Sequence, residues 1–167
     1  AAMEVSSHGL HQGRVNGVNF AVALLTNLSR DHLDYHGDMA SYAAAKATLF
    51  NWPGLQFAVL NLDDPFGVEL AGKLGCSGVK VVGYGFEGEA EGCHMLVKGR
   101  ALCMDETGLR FEVVTPWGKA SISSAMLGRF NAANLLGTLA VLLVSGIALE
   151  TAVAALAQVE AVPGRVQ

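Results

Sequence analysis

Apolar residues fall in short, uninterrupted runs separated by polar and glycine-rich stretches. Phe20-Ala21-Val22-Ala23-Leu24-Leu25 has no polar alternation, and residues 57–61 and 79–84 have the same character. Such runs are expected of strands buried on both faces, as in a parallel sheet covered by helices. Strands are therefore expected at 22–26, 57–61 and 79–84, with a further one at 3–5. Helical patterns fall between them at 39–50 and 66–74, and a loop or short helix at 7–13. The alternation of strand and helix predicts right-handed crossovers and a mainly parallel sheet.

From residue 95 to 124 the pattern changes to short alternating segments, at 95–97, 101–104, 109–114 and 119–123. Their separators are Lys98-Gly99-Arg100, Asp105-Glu106-Thr107-Gly108 and Thr115-Pro116-Trp117-Gly118, which read as turns. A small antiparallel subsheet attached to the main sheet is expected here. Residues 130–149 carry no charge and are long enough for a membrane span. They also contain Asn131, Asn134, Gly137, Thr138 and Ser145-Gly146, and a glycine after Ser145 suits a helix C-cap. Two buried helices, at 131–144 and 149–159, are the expectation. The fold class is thus α/β, a mainly parallel sheet flanked by helices with an antiparallel appendage.

The chain has 167 residues, about half of them apolar, which suits one domain with a substantial core. Net charge is −4 without a Lys/Arg run, giving no support for binding nucleic acid or an anionic membrane. Three widely spaced cysteines, Cys76, Cys93 and Cys103, suit a reducing compartment better than a disulfide framework, so a cytoplasmic location is expected. The chain opens Ala1-Ala2-Met3-Glu4 and closes Val162-Pro163-Gly164-Arg165-Val166-Gln167. Both ends look cut, as in a piece of a longer protein.

Candidate chemistry is concentrated after the run at 20–25. Two histidines and three acids lie within residues 31–38: Asp31, His32, Asp34, His36 and Asp38. In open α/β sheets ligands bind beyond the carboxyl ends of the strands, which is where this cluster falls. Capping of the next helix explains Asp38 and leaves Asp31, His32 and Asp34 unexplained. Glu4, alone among apolar neighbours, reads as a structural ion pair. With His32 the balance changes, because adjacent parallel strands would bring both runs to one sheet edge. Gly83-Tyr84-Gly85-Phe86-Glu87-Gly88 has the letters of a dinucleotide fingerprint, yet no helix follows it, and no G-x-x-x-x-G-K-[ST] loop is present.

Met3-Glu4-Val5-Ser6-Ser7-His8-Gly9-Leu10, Gln12 and Arg14, then Thr26-Asn27-Leu28-Ser29-Arg30-Asp31-His32-Leu33-Asp34-Tyr35-His36-Gly37, Tyr42 and Ala45-Lys46, closely resemble the central domain of the Mur ligases. Leu127-Gly128-Arg129-Phe130-Asn131-Ala132-Ala133-Asn134 resembles that family's adenine-binding G-x-x-N-x-x-N element, and Pro163-Gly164-Arg165 its passage into a C-terminal domain. Within the family, the chain looks like the branch that adds the third residue of the peptidoglycan stem peptide. The resemblance implies a central ATP-binding domain over residues 1–161, with 162–167 beginning a linker. It also implies a phosphate-holding loop upstream of Ala1, and a fragment that turns over no ATP by itself.

The implied reaction is ATP-dependent amide ligation. The carboxylate of UDP-N-acetylmuramoyl-L-Ala-D-Glu takes the γ-phosphoryl group of ATP, and the resulting acyl phosphate is displaced by an amino acid, meso-diaminopimelate or L-lysine. Magnesium and basic groups relieve the encounter of two anions. By resemblance Glu4 and His32 are Mg²⁺ ligands, and Lys46 is carbamylated, its carbamate acting as an anion near the second metal. Carbamylation needs a neutral amine, which partial burial on an alanine-lined helix favours; without the motif, a snorkelling lysine is the default. Ser6, Gln12 and Arg14 match substrate-holding positions, and Asn131, Asn134 and Arg165 match nucleotide-binding ones. Taken singly, Arg14 would be a surface ion pair and the two asparagines a cap and a turn donor. His8, His11, His36 and His94 receive no catalytic role. A monomer without membrane or nucleic-acid partners is expected. The competing readings are folylpolyglutamate- or cyanophycin-type ligases, a noncatalytic folded fragment, and a two-metal hydrolase.

Overall fold

The computed structural model describes residues 1–29 and 37–160. Six strands form one sheet in chain order: β1 (Val22–Leu25), β2 (Phe57–Asn61), β3 (Lys80–Gly85), β4 (Met95–Asp105), β5 (Gly108–Thr115) and β6 (Gly118–Ser124). β1 to β4 pair in parallel, and β4, β5 and β6 form an antiparallel meander. The described helices are α1 (Ser7–His11), α2 (Met39–Ala47, continued by a 3-10 turn at Thr48–Asn51), α3 (Pro65–Leu74), α4 (Arg129–Val144) and α5 (Leu149–Leu156). The expected α/β architecture is present.

The period-two alternation of strands divides the core into two layers. Val59, Val82, Tyr84, Val97 and Phe111 face α4 and α5, packing on Leu135, Leu136, Leu139, Leu143 and Leu156. Ala23, Leu25, Ala58, Leu60 and Val81 face the other way, against Phe50 and the α3 residues Phe66, Leu70, Ala71 and Leu74. Both faces of the inner parallel strands β2 and β3 are thus covered, which is why their sequences are almost continuously apolar. Coverage is thinner at β1, where Val22 and Leu24 are only partly buried, because β1 stands at the edge of the sheet.

Three details differ from expectation. Residues 3–5 form no strand; without a ladder partner, so short an extended segment gains too little to offset its ordering entropy. Lys98-Gly99-Arg100 is not a turn but part of a single long β4, paired with β3 over Met95–Lys98 and with β5 from Lys98 onward. The register shifts between Arg100 and Cys103, around Ala101 at φ 50°. The glycine is needed for packing: a Cβ on Gly99 would stand 2.4 Å from the Phe86 ring. Finally, the last helix stops at Leu156 rather than 159. The uncharged stretch at 130–149 does divide into α4 and α5, with Gly146 at φ 88° just past the end of α4. No described helix is long and apolar enough to cross a membrane.

Tyr84 connects the layers. Its side chain is fully buried, its hydroxyl donates to the Leu25 carbonyl at 3.0 Å, and α4 lies so close that a Cβ on Gly137 would come within 2.8 Å of the ring. Tyr84→Phe removes this hydrogen bond with little change of shape and is expected to cost about 1 kcal/mol. Urea denaturation of the chain should show a lower midpoint with an unchanged slope; an unchanged midpoint would contradict the assignment.

Candidate functional site

The carboxyl ends of β1, β2 and β3 converge on four consecutive residues, Asn61-Leu62-Asp63-Asp64. Asn61 is buried; its amide donates to the Thr26 carbonyl at 2.6 Å and its oxygen accepts from the Asp63 N–H at 3.0 Å. Asp64 accepts from the Leu28 N–H and the Phe66 N–H, both at 2.9 Å, so one carboxylate caps α3 and holds the segment leaving β1. Asp63 turns the other way and accepts three backbone N–H groups beyond β3: Phe86 at 2.8 Å, Glu87 at 2.9 Å and Gly88 at 2.6 Å. Successive N–H groups of a turn make an anion-binding concavity. Here the occupant is the protein's own carboxylate, which explains why the glycine letters at 83–88 do not make a nucleotide loop.

A second tier attaches to that turn. The Arg129 guanidinium donates to the Glu87 carboxylate at 2.7 Å, and Lys98 donates to the Glu87 and Gly88 carbonyls at 3.1 and 3.0 Å. Arg129 is the first residue of α4, whose N-cap Gly128, at φ 89°, offers no side chain. Partial desolvation pushes the Asp63 carboxyl up, but the N–H donors of Phe86, Gly88 and Glu87, helped by the Arg129 charge, outweigh it and hold it below its ordinary value of 3.8. Tyr84 is pushed well above the ordinary phenol range by burial, then by the charges of Asp64 and Asp63.

The described residues matched to the ligase motifs fall into two groups. Ser6 caps α1, its hydroxyl accepting the Gly9 N–H at 3.1 Å, and Gln12 closes the same helix. Arg14 follows, exposed, with its N–H on the Gly9 carbonyl. α1 packs against α2, which carries Lys46. Lys46 is half-buried, its ammonium 5.2 Å from the centre of the buried Tyr42 ring. Asp38 caps α2 as expected, accepting the Ser41 N–H at 2.7 Å, and these bonds hold its carboxyl low. Glu4 is exposed on irregular backbone rather than at a strand end. Asn131 and Asn134 share the first turns of α4; the Asn131 amide donates to the Leu127 carbonyl at 2.7 Å, the turn-donor role, while the Asn134 residue is exposed. His94 accepts the Val81 N–H at 3.1 Å, a structural use of its ring. His32, Asp31, Asp34, His36 and Arg165 lie outside the described residues.

Asn61, Asp63, Asp64, Glu87 and Arg129 were not singled out by sequence. The signal was available for the first three: polar residues directly after an apolar strand, the same reason that marked residues 31–38.

A sheet with a parallel half and an antiparallel appendage, with polar side chains gathered where β1 to β3 end, is an α/β architecture with its polar groups at the strand ends where ligands bind in such sheets. The description "Mur ligase middle domain" matches residues 1–142, and the chain belongs to that family. It is 51% identical over 99% of its length to the UDP-N-acetylmuramoyl-L-alanyl-D-glutamate--2,6-diaminopimelate ligase of Alkalilimnicola ehrlichii, and 49% identical over 99% to that of Chromobacterium violaceum. A solved structure of a UDP-N-acetylmuramoyl-L-alanyl-D-glutamate--2,6-diaminopimelate ligase superposes with a TM-score of 0.84 at 35% identity, over 98% of this chain and 33% of that one. The chain spans about a third of the length of the curated relatives it matches.

Because its folded-state value is depressed, Asp63 contributes stability that is present above the unfolded carboxylate range and is lost as pH falls through the folded value. A carboxyl ¹³C NMR titration of the chain should place the Asp63 midpoint below 3.8. A midpoint at or above that value would contradict the three-donor cradle.

Proposed function

We propose that this chain is the greater part of the central domain of a UDP-N-acetylmuramoyl-tripeptide synthetase, MurE, with residues 1–161 forming the domain portion and 162–167 the start of a linker. The parent enzyme ligates an amino acid to UDP-N-acetylmuramoyl-L-Ala-D-Glu at the expense of ATP, by way of an acyl phosphate. The observation that carries the reading is 51% identity across 99% of the chain to a ligase named for that substrate and 2,6-diaminopimelate. The same name favours 2,6-diaminopimelate over L-lysine as the added amino acid. The enzyme acts in the cytoplasm as a monomer, without nucleic-acid or membrane partners.

The donors fit ATP with Mg²⁺. This cation takes one or two carboxylates together with substrate phosphates and water rather than an all-protein cage, and the exposed Glu4 offers a hard oxygen ligand of that kind. His32 and a carbamylated Lys46 complete the proposed metal set. When bound, magnesium neutralises charge on the transferring phosphoryl group. The chain's own residues then have separate tasks. Ser6 retains a hydroxyl hydrogen to donate while its oxygen caps α1. Gln12 and Arg14 add an amide and a guanidinium fork for the anionic UDP-muramoyl substrate. Asn131 and Asn134 present amides for the edge of adenine, and Arg165 a cation for the terminal phosphate.

The packing of α1 on α2 supports a common side for Lys46 and the substrate-holding group. In the full-length ligase, Lys46→Ala is expected to lower kcat by about 10²–10³-fold, without recovery on adding bicarbonate. The assay is phosphate release with ATP, UDP-N-acetylmuramoyl-dipeptide and 2,6-diaminopimelate. Wild-type rates in the variant would remove the carbamate from the mechanism, and phosphate release by the isolated chain would show that the missing parts are dispensable.

A further inference from the structure

The ligase reading gives roles to α1, α2 and the start of α4, and none to the most heavily hydrogen-bonded carboxylate among the described residues. Asp63 accepts three backbone N–H groups from one turn. That turn is pressed onto the end of β2: a Cβ on Gly88 would lie 1.8 Å from the Leu62 carbonyl oxygen, and one on Gly85 would lie 2.9 Å from Asp63 Oδ1. Two glycines and a carboxylate therefore fix where Glu87 sits. Lys98 fixes it again from β4 by binding the carbonyls of Glu87 and Gly88.

Glu87 in turn holds Arg129 at 2.7 Å. This contact bears on α4 because the helix begins without a side-chain cap. Its first turn instead carries a solvent-exposed ion pair, Arg129 on Glu87, and the Asn131 amide on the Leu127 carbonyl. Asn131 and Asn134 are two and five residues beyond Arg129 on the same rigid element, so a rotation or shift of that turn moves both amides together. A displacement of about 1 Å is enough to spoil positioned contacts.

We infer that Asp63 is a positioning residue for the nucleotide: by clamping the turn after β3 it fixes Glu87, which anchors Arg129 and so orients the start of α4 with Asn131 and Asn134. The inference rests on the ligase reading, in which those two asparagines meet adenine. In this relay Asp63 acts through the turn it binds, its oxygens accepting from the Phe86, Glu87 and Gly88 N–H groups.

The test uses the full-length ligase with Asp63→Asn, Arg129→Gln and the double variant, measuring kcat and KM for ATP and for UDP-N-acetylmuramoyl-dipeptide. Asparagine keeps the size of the side chain but sets an NH₂ against a backbone N–H. Asp63→Asn is expected to raise the KM for ATP about tenfold, leaving kcat and the other KM within about twofold. Arg129→Gln should raise the ATP KM in the same direction, and the double variant no further than Asp63→Asn alone, because both lie on one relay. An unmoved ATP KM in Asp63→Asn overturns the inference, as does an additive double variant. Parallel loss in kcat and both KM values overturns it too, as that marks a purely structural role. Should Asp63→Asn fail to fold, Arg129→Gln decides alone: an unchanged ATP KM there overturns the relay. Wild-type enzyme that releases no phosphate refutes the ligase reading and the inference with it, whereas normal wild-type turnover with an unmoved Asp63→Asn refutes only the inference.

Discussion

A parallel strand that ends inside a fold leaves peptide N–H and C=O groups that need partners, and three such strands end side by side in this domain. Most of the polar side chains that answer this need come from the exit of β2, and Tyr84 of β3 adds its hydroxyl to the Leu25 carbonyl. Asn61 takes the Thr26 carbonyl, Asp64 the Leu28 N–H, and Asp63 the N–H groups of Phe86, Glu87 and Gly88. Hydrogen bonds to an ionised acceptor are shorter and roughly twice as strong as neutral ones. The two aspartates therefore stitch neighbouring strand exits where main-chain pairing has stopped.

Their directions divide the site. Asp64 controls the segment that leaves β1 toward residues 31–38 and then α2, the side bearing Lys46. Asp63 controls the turn after β3 and, through Glu87 and Arg129, the start of α4, the side bearing Asn131 and Asn134. In the ligase reading these are the proposed metal side and the proposed adenine side, each tied to one of two adjacent carboxylates at the exit of β2. The use of Asp63 inside a glycine-rich turn also shows how a phosphate-binding sequence pattern can be satisfied internally by a protein carboxylate.

Much of the fold could be read from the sequence because burial on both faces leaves a clear record: the runs at 57–61 and 79–84 are apolar since α3 covers one face and α4 the other, and the run at 20–25 keeps the same character at the more thinly covered edge of the sheet. Asp38 was legible as a cap because capping is local. The failures share a different cause. Residues 3–5 have strand-like composition, but a strand exists only with a ladder partner. Lys98-Gly99-Arg100 has turn-like composition, but Gly99 is small to admit the Phe86 ring, a contact across the sheet that no local pattern encodes. Asp63 stands where a strand-exit signal could have marked it, but its role and that of Glu87 depend on partners 23 to 42 residues away, which no local pattern encodes. The motif residues Ser6, Gln12, Arg14, Asn131 and Asn134 were found through resemblance, and periodicity alone would not have separated them from caps and surface polar groups.

The claim on which the rest depends is that two aspartates hold the strand exits through backbone N–H groups. Amide hydrogen exchange of the chain, read residue by residue by NMR, addresses it directly. Phe86, Glu87, Gly88 and Leu28 should exchange at least about 10²-fold more slowly than their intrinsic rates although they lie in connecting segments. In Asp63→Asn, protection should fall at Phe86, Glu87 and Gly88 and persist at Leu28, which bonds to Asp64. Exchange of all four amides at unprotected rates in the wild-type chain, or an Asp63→Asn variant that loses none of the protection, would contradict the central role of this strand exit.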